Sequence, residues 1–304
     1  MAATEQQSTP GNGEKPAVTQ EMIKLYDEYT HLTLDRRGFM DKLTKLVGSS
    51  AAAAAVVPML AADKARAAVV AEDDARIVTE RVSFPGPSGK TISGLLAKPK
   101  DATGKLPAVL VIHENRGLNP HIEDVTRRFA VDGFLTLGVD LLSTSGGTPT
   151  DEDKARTMIG ELKPAEALAE AMAAVAWLKD NPASNGKVGA VGFCWGGGMV
   201  NQLAVNDPNL VAGVAYYGMQ AKAADVPKIK AKLMLHYAGL DERINAGIPD
   251  YEAALKAAGT GYQLFVYDGV NHAFNNDTSS ARYDAKAATL AWGRTIDFLK
   301  GALG

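Results

Sequence analysis

Cysteine is the scarcest chemistry-bearing residue in this chain: Cys194 is the single one in 304 residues. One thiol excludes an intramolecular disulfide. Without a C-x-x-C pair, neither a zinc knuckle nor a thioredoxin-type redox couple fits. Charge of one sign is also lacking, since 32 Lys and Arg against 35 Asp and Glu leave a net −3. That balance gives no electrostatic reason to expect nucleic acid as a partner, and no Lys/Arg cluster interleaves with aromatics to form a groove for it. A strongly apolar run long enough to span a membrane is missing too. The stretch from Leu43 to Ala62 is uncharged except for Lys45, but five consecutive alanines insert weakly and Pro58 interrupts it, so no stable membrane anchor is expected. What is present, 46% hydrophobic and 22% charged residues, suits a globular chain with one large α/β domain or two small ones.

Residues 1 to about 20 are polar and poor in bulky apolar side chains, which predicts weak order. Arg36 and Arg37 then form a twin arginine followed by Phe39, the mild apolar stretch, and Ala65-Arg66-Ala67 as a small-x-small site. This order of basic, mildly apolar and small residues resembles a bacterial twin-arginine export signal. An amphipathic core helix is the competing reading, but apolar residues do not recur at 3.6 spacing between Ser49 and Val57. The expectation is a leader over 1–68, the export machinery as a partner, a periplasmic destination, and a single domain over 69–304 starting near Ala68.

From residue 77 the pattern alternates. Two β-like runs, 77–84 and 91–97, flank Pro85-Gly86-Pro87-Ser88-Gly89 and predict a hairpin. The continuous apolar run Leu106–His113 predicts a strand buried on both faces. Further strands are expected at 134–141, 187–193, 211–217, 232–238 and 262–268. Helices are expected at 122–131, 164–178, 195–205, 251–258 and 281–299. The fold class is therefore α/β: a mostly parallel, doubly wound sheet with helices on both faces and an N-terminal antiparallel hairpin. Ligands in such sheets sit outside the carboxyl ends of the strands.

Gly192-Phe193-Cys194-Trp195-Gly196 falls at one strand-to-helix junction. It has the G-x-nucleophile-x-G form with cysteine in the serine position. Glycines on either side relieve a sharp turn, and the helix N-terminus favours thiolate over thiol. A Gly-rich phosphate loop and a buried structural cysteine are the bland alternatives. A dinucleotide fingerprint would want G-x-G-x-x-G near the first strand, and the elbow comes later. A nucleophilic cysteine needs a base, and the base an orienting carboxylate. Two histidines follow Cys194. His236 lies inside an apolar run and reads as structural, whereas His272 lies in a loop after a strand. For the acid, Asp241 follows a strand directly, with Glu242 and Asp268 as alternatives. An oxyanion hole would draw on the backbone N–H groups of Trp195 and of Asn115.

Taken together, the cysteine elbow GFCWGG, the Ala238-Gly239-Leu240-Asp241 turn, Asn271-His272-Ala273-Phe274 and His113-Glu114-Asn115-Arg116-Gly117-Leu118-Asn119 resemble the dienelactone hydrolase family over about residues 77–300. The resemblance implies an α/β-hydrolase fold and a Cys194–His272–Asp241 triad. It also implies that Glu114 contacts the resting thiol and helps activate it. The family's two substrate-anchoring arginines have no counterpart: Asp140–Thr144 contains none, and Asn276 stands where the second would be. Arg116 and Arg282 are the candidate substitutes for substrate binding. No H-E-x-x-H accompanies His113-Glu114, so no metal is expected, and no organic cofactor is implied. The expected function is hydrolysis of a small-molecule ester or lactone through an acyl-enzyme. Two other classes fit less well. A ligand-binding protein on this scaffold has no need of three catalytic residues, and a redox sensor would want a resolving cysteine.

Overall fold

The structure, a computed structural model, describes residues 17–31, 33–63, 66 and 68–304. Residues 1–16 of the expected leader, and Ala65 and Ala67 of the small-x-small site, lie outside the described residues. Contacts divide the chain into two units, Met1–Ala62 and Asp63–Gly304.

Among the described residues the first unit contains three helices: α1 (Gln20–Thr30), α2 (Arg36–Val47) and α3 (Ser50–Leu60). Each starts at a side-chain cap that satisfies an orphan N–H of the first turn. Thr19 accepts from the Met22 N–H at 3.3 Å, Asp35 from Gly38 at 2.7 Å and Ser49 from Ala52 at 3.1 Å. The twin arginine thus opens α2, with Asp35 as its cap. The ring of Phe39 stacks on Tyr29 at 4.7 Å, which ties α2 to α1. Among the described residues no single helix is long and apolar enough to cross a membrane. The pair α2 and α3 meets those criteria jointly, but the two helices are bent by 110°.

The second unit is built on one eight-stranded sheet in the order β1-β2-β4-β3-β5-β6-β7-β8. The strands are β1 (Ile77–Pro85), β2 (Thr91–Pro99), β3 (Leu106–Ile112), β4 (Leu135–Asp140), β5 (Ser184–Phe193), β6 (Leu210–Tyr216), β7 (Lys232–Ala238) and β8 (Tyr262–Tyr267). β1 and β2 form the expected hairpin, and β2 also runs antiparallel to β4. From β4 to β8 every pairing is parallel. The helices are α4 (Pro120–Val131), α5 (Glu152–Glu161), α6 (Pro164–Asp180), α7 (Trp195–Asn206), α8 (Glu242–Asn245), α9 (Ile248–Ala258) and α10 (Ala285–Leu303).

The two faces of the sheet are covered by different helices, and β3 shows how. Ala108, Leu110 and Ile112 join a core with Ala167, Ala171 and Ala174 of α6 and Val200 and Leu203 of α7. Val109 and Val111 point the other way and pack with Ile122, Val125 and Phe129 of α4 and Leu299 of α10. The period-two alternation of strand side chains sends consecutive apolar residues into opposite cores. A strand between two helical layers therefore reads as an unbroken apolar run.

The chain leaves β3 for β4 on one side and returns to β5 on the other. That makes a topological switch point between β3 and β5. Loops leaving adjacent strands there diverge and open a crevice at the carboxyl edge.

Candidate active site

Strand register brings the site together. Ile112 of β3 pairs with Gly192 of β5, so Glu114 and Cys194, each two residues further on, emerge side by side. Phe193 pairs with Tyr216, which sets Tyr217 beside Cys194. Ala238 pairs with Tyr267, so the loops carrying Asp241 and His272 leave neighbouring strands.

Cys194 sits between β5 and α7 with φ 55° and ψ −115°, a region that costs an L-residue about 1–3 kcal/mol. The backbone N–H of Cys194 donates to the Tyr216 carbonyl at 3.0 Å, which holds the turn in place. The flanking glycines are sterically required. A Cβ on Gly192 would meet the Gly196 carbonyl oxygen at 2.1 Å, and one on Gly196 would meet those of Ile112 and His113 at 2.4 and 2.5 Å. The thiol is buried at the N-terminus of α7, where the helix field favours the thiolate.

His272 Nδ1 lies 2.5 Å from Asp241 Oδ2, and both side chains are buried. Asp241 divides its two oxygens, since Oδ1 caps α8 by accepting from Ile244 N–H at 3.2 Å. It is at once the turn residue, the helix cap and the partner of His272. The alternative acids Glu242 and Asp268 are exposed. A ring nitrogen of His272 lies within 4.8 Å of Cys194 Sγ. With Nδ1 on Asp241, Nε2 is the nitrogen left to serve the sulfur.

Glu114 is buried, and two groups hold its carboxylate. Asn276 Nδ2 donates to Oε2 at 2.7 Å and the Tyr217 hydroxyl to Oε1 at 3.5 Å. Tyr217 is itself at φ 39° and its ring lies 4.8 Å from that of His272. Burial, then the charges of Glu114 and Cys194, push its hydroxyl well above the ordinary tyrosine range. It is therefore neutral and available as a donor.

His113 is a strut rather than a ligand. Its Nε2 accepts from the Leu141 N–H at 3.3 Å and its Nδ1 contacts the Glu114 carbonyl at 2.7 Å. A backbone N–H can only donate and a carbonyl only accept, so the proton sits on Nδ1. Burial lowers its basicity, and its ring stacks on Trp195 at 5.5 Å. The histidine thereby joins the loop after β3 to the start of α7. Trp195 is the first residue of α7, where N–H groups have no helical acceptor.

Asn115 shares that loop with Arg116, whose guanidinium donates to Asn115 Oδ1 at 3.0 Å and pairs with Glu152 of α5 at 3.8 Å. Arg116 thus tethers the loop to α5, whose Ala155 and Ile159 pack with Leu142 and Trp195 over the carboxyl edge. Arg282 donates to Ser279 Oγ at 3.0 Å and is close enough for its charge to act on Tyr217. His236 lies in the interior between the Tyr267 hydroxyl at 2.9 Å and Thr295 Oγ1 at 3.1 Å. Burial, then the Arg294 charge, lowers its pKa to about 3, as befits a structural histidine.

Sequence reasoning missed two residues. Tyr217 carried a signal, since it ends a strand at the carboxyl edge. Asn276 stands out in the sequence only as the absence of an arginine, and its contact with Glu114 spans 162 positions.

The sheet, its helices and the elbow define an α/β hydrolase. The family model for the dienelactone hydrolase family matches residues 92–303, and the chain belongs to that family. A protein of Escherichia coli O157:H7 named as a carboxymethylenebutenolidase is 30% identical over 255 residues, 79% of this chain and 93% of its own. One of the same name from Saccharolobus solfataricus is 32% identical over 73% of this chain and 98% of its own. A crystal structure from Klebsiella pneumoniae, described as a dienelactone hydrolase, superposes with TM-score 0.68 at 27% identity, covering 74% of this chain and 98% of that one.

Proposed function

We propose that the chain hydrolyses carboxylic esters or lactones with Cys194 as nucleophile. The observation that carries this reading is the juxtaposition at the elbow. A thiol on a strained turn has a histidine nitrogen within 4.8 Å, and that histidine is oriented at 2.5 Å by a buried aspartate. His272 Nε2 takes the Cys194 proton, with Glu114 beside the thiol helping to activate it, and the thiolate attacks the carbonyl carbon. The N–H groups of Trp195 and Asn115 receive the oxyanion. The tetrahedral adduct collapses, the C–O bond breaks, and His272 returns the proton to the leaving alkoxide, giving a thioester. Water, deprotonated by His272, attacks that thioester. The second adduct collapses, the C–S bond breaks, the Cys194 sulfur recovers the proton from His272, and the acid leaves. Asp241 holds the imidazole by its Nδ1–H and balances the imidazolium formed in each half.

Iodoacetamide tests the reading. Carboxamidomethylation of the lone thiol should abolish turnover of an activated ester in step with the label found on Cys194. Full turnover of the labelled protein would refute it.

We also propose that residues 1–68 act as a twin-arginine leader and that the domain works in the periplasm. Its support is the twin arginine at the start of α2, followed by the uncharged α3. Replacing Arg36 and Arg37 by Lys should retain the protein in the cytoplasm of a bacterial host. Unchanged fractionation would count against the leader.

A further inference from the structure

A second buried charge cluster lies beside the His272 loop, outside the reacting groups. Its hub is Asp124 on α4, 3% exposed, whose carboxylate receives the Val69 N–H at 2.9 Å and the Val70 N–H at 2.8 Å. Arg127 closes this clasp by donating to the Val70 carbonyl at 2.8 Å. Arg128 donates to Asp124 through Nε at 3.1 Å and Nη2 at 2.5 Å, and Nη2 also reaches Asp277 at 2.7 Å. His121 Nδ1 stands 3.3 Å from the other Asp277 oxygen.

Asp277 is the chain neighbour of Asn276, and the path continues from there into the site. Asn276 Oδ1 accepts from the N–H and hydroxyl of Thr278 at 3.1 and 2.6 Å. Its Nδ2 donates to Glu114 at 2.7 Å. The amide therefore has one orientation, because a flip would turn its oxygen onto the Glu114 carboxylate. Anchoring the Asp277 side chain fixes the backbone on which that amide stands.

We propose that Arg128 is a positioning residue for the active site. By bridging Asp124 and Asp277 it fixes the Asn276 amide that holds Glu114 beside Cys194. The far end of the same network grips Val69–Val70, so the segment after the expected leader is wired to the site. The proposal rests on the reading that Glu114 serves the Cys194 thiol.

A double-mutant cycle on the full chain tests it, using Arg128→Met, Asn276→Ala and the pair. The readouts are kcat and KM for p-nitrophenyl acetate and the rate of Cys194 alkylation by iodoacetamide. Arg128→Met should lower kcat about tenfold, with little change in KM, as loss of a supporting contact does. It should shift alkylation by the same factor as Asn276→Ala. In the Asn276→Ala background it should change either readout by less than about twofold. Effects that multiply, or an Arg128→Met protein with unaltered kcat and alkylation, overturn the proposal. Should Arg128→Met not fold, Arg128→Lys keeps the charge without the bridge and carries the same cycle. Failure of the hydrolase reading shows separately, as turnover that survives Cys194→Ala, while the alkylation readout still reports on Arg128.

Discussion

Replacing Gly196 by alanine sets two physical effects against each other, and the structure decides between them. Gly196 lies in the first turn of α7, where helix propensity alone would make alanine more stable by about 1 kcal/mol. The added Cβ, however, would fall 2.4 and 2.5 Å from two carbonyl oxygens of the β3 end, Ile112 and His113. Ordinary contact begins at 3.4 Å, so the helix start and the loop after β3 must part by about 1 Å. Neither obstacle is a flexible side chain. Overpacking of this kind costs about 1–3 kcal/mol, which outweighs the propensity gain. The same displacement separates Cys194 and the Trp195 N–H from Glu114 and Asn115. A misplacement of about 1 Å costs on the order of a hundredfold in rate. Gly198, two positions on, is the control: its Cβ would find nothing closer than 3.6 Å. Thermal denaturation and p-nitrophenyl acetate hydrolysis should show Gly196→Ala less stable and about a hundredfold slower. Gly198→Ala should be active and as stable as the parent or more so. A Gly196→Ala protein that is both fully active and more stable would refute the steric account of the elbow.

Three further outcomes follow from the geometry. Asp241→Asn removes the acceptor that holds His272 by Nδ1–H. It should lower kcat by roughly a thousandfold or more with Cys194 alkylation still measurable, and a decrease of less than tenfold would contradict the assignment. Burial raises the Asp277 carboxyl, but the His121 contact and the Arg128 charge outweigh it and bring it to about 2 from the ordinary 3.8. Because the folded value is the lower one, the stabilisation is complete above pH 4. About 2 kcal/mol should be lost as pH falls from 4 through 2, and urea denaturation of Asp277→Asn beside the parent should show the difference closing over that interval. Leu110→Ala, in the strand between the two helical layers, should cost about 2–5 kcal/mol in the same assay without changing the ester KM; a loss under 1 kcal/mol would mean that β3 is not central to the core.

Much of this molecule was legible because its signals are local. Leu106–Ile112 reads as an unbroken apolar run because both faces of β3 are covered, and the elbow announces itself through glycines placed two residues either side of Cys194. The apolar run around His236 separates it from His272, which lies in a loop, and the Gly239-x-Asp241 turn directly after a strand favours Asp241 over Asp268. The less legible parts depend on tertiary structure. α5 carries only a short apolar face and packs on Leu142 and Trp195 from elsewhere in the chain. The sequence offers Arg116 as a candidate substrate contact; the structure pairs it with Asn115 and Glu152, a partner no local pattern indicates. Tyr217 adopts a positive φ that its residue type does not advertise. Asn276 was legible as a departure from the family, but its grip on Glu114 exists only once β3 and the His272 loop share the carboxyl edge.

The central claim is that Cys194 forms a covalent acyl-enzyme. The most direct test is to mix p-nitrophenyl acetate with the protein, quench in acid within the first turnovers, and weigh the intact chain beside Cys194→Ala. The account predicts a parent chain heavier by one acetyl group, located on Cys194, and an inactive, unlabelled variant. Hydrolysis that persists in the variant, or an acetyl group on any other residue, would contradict it.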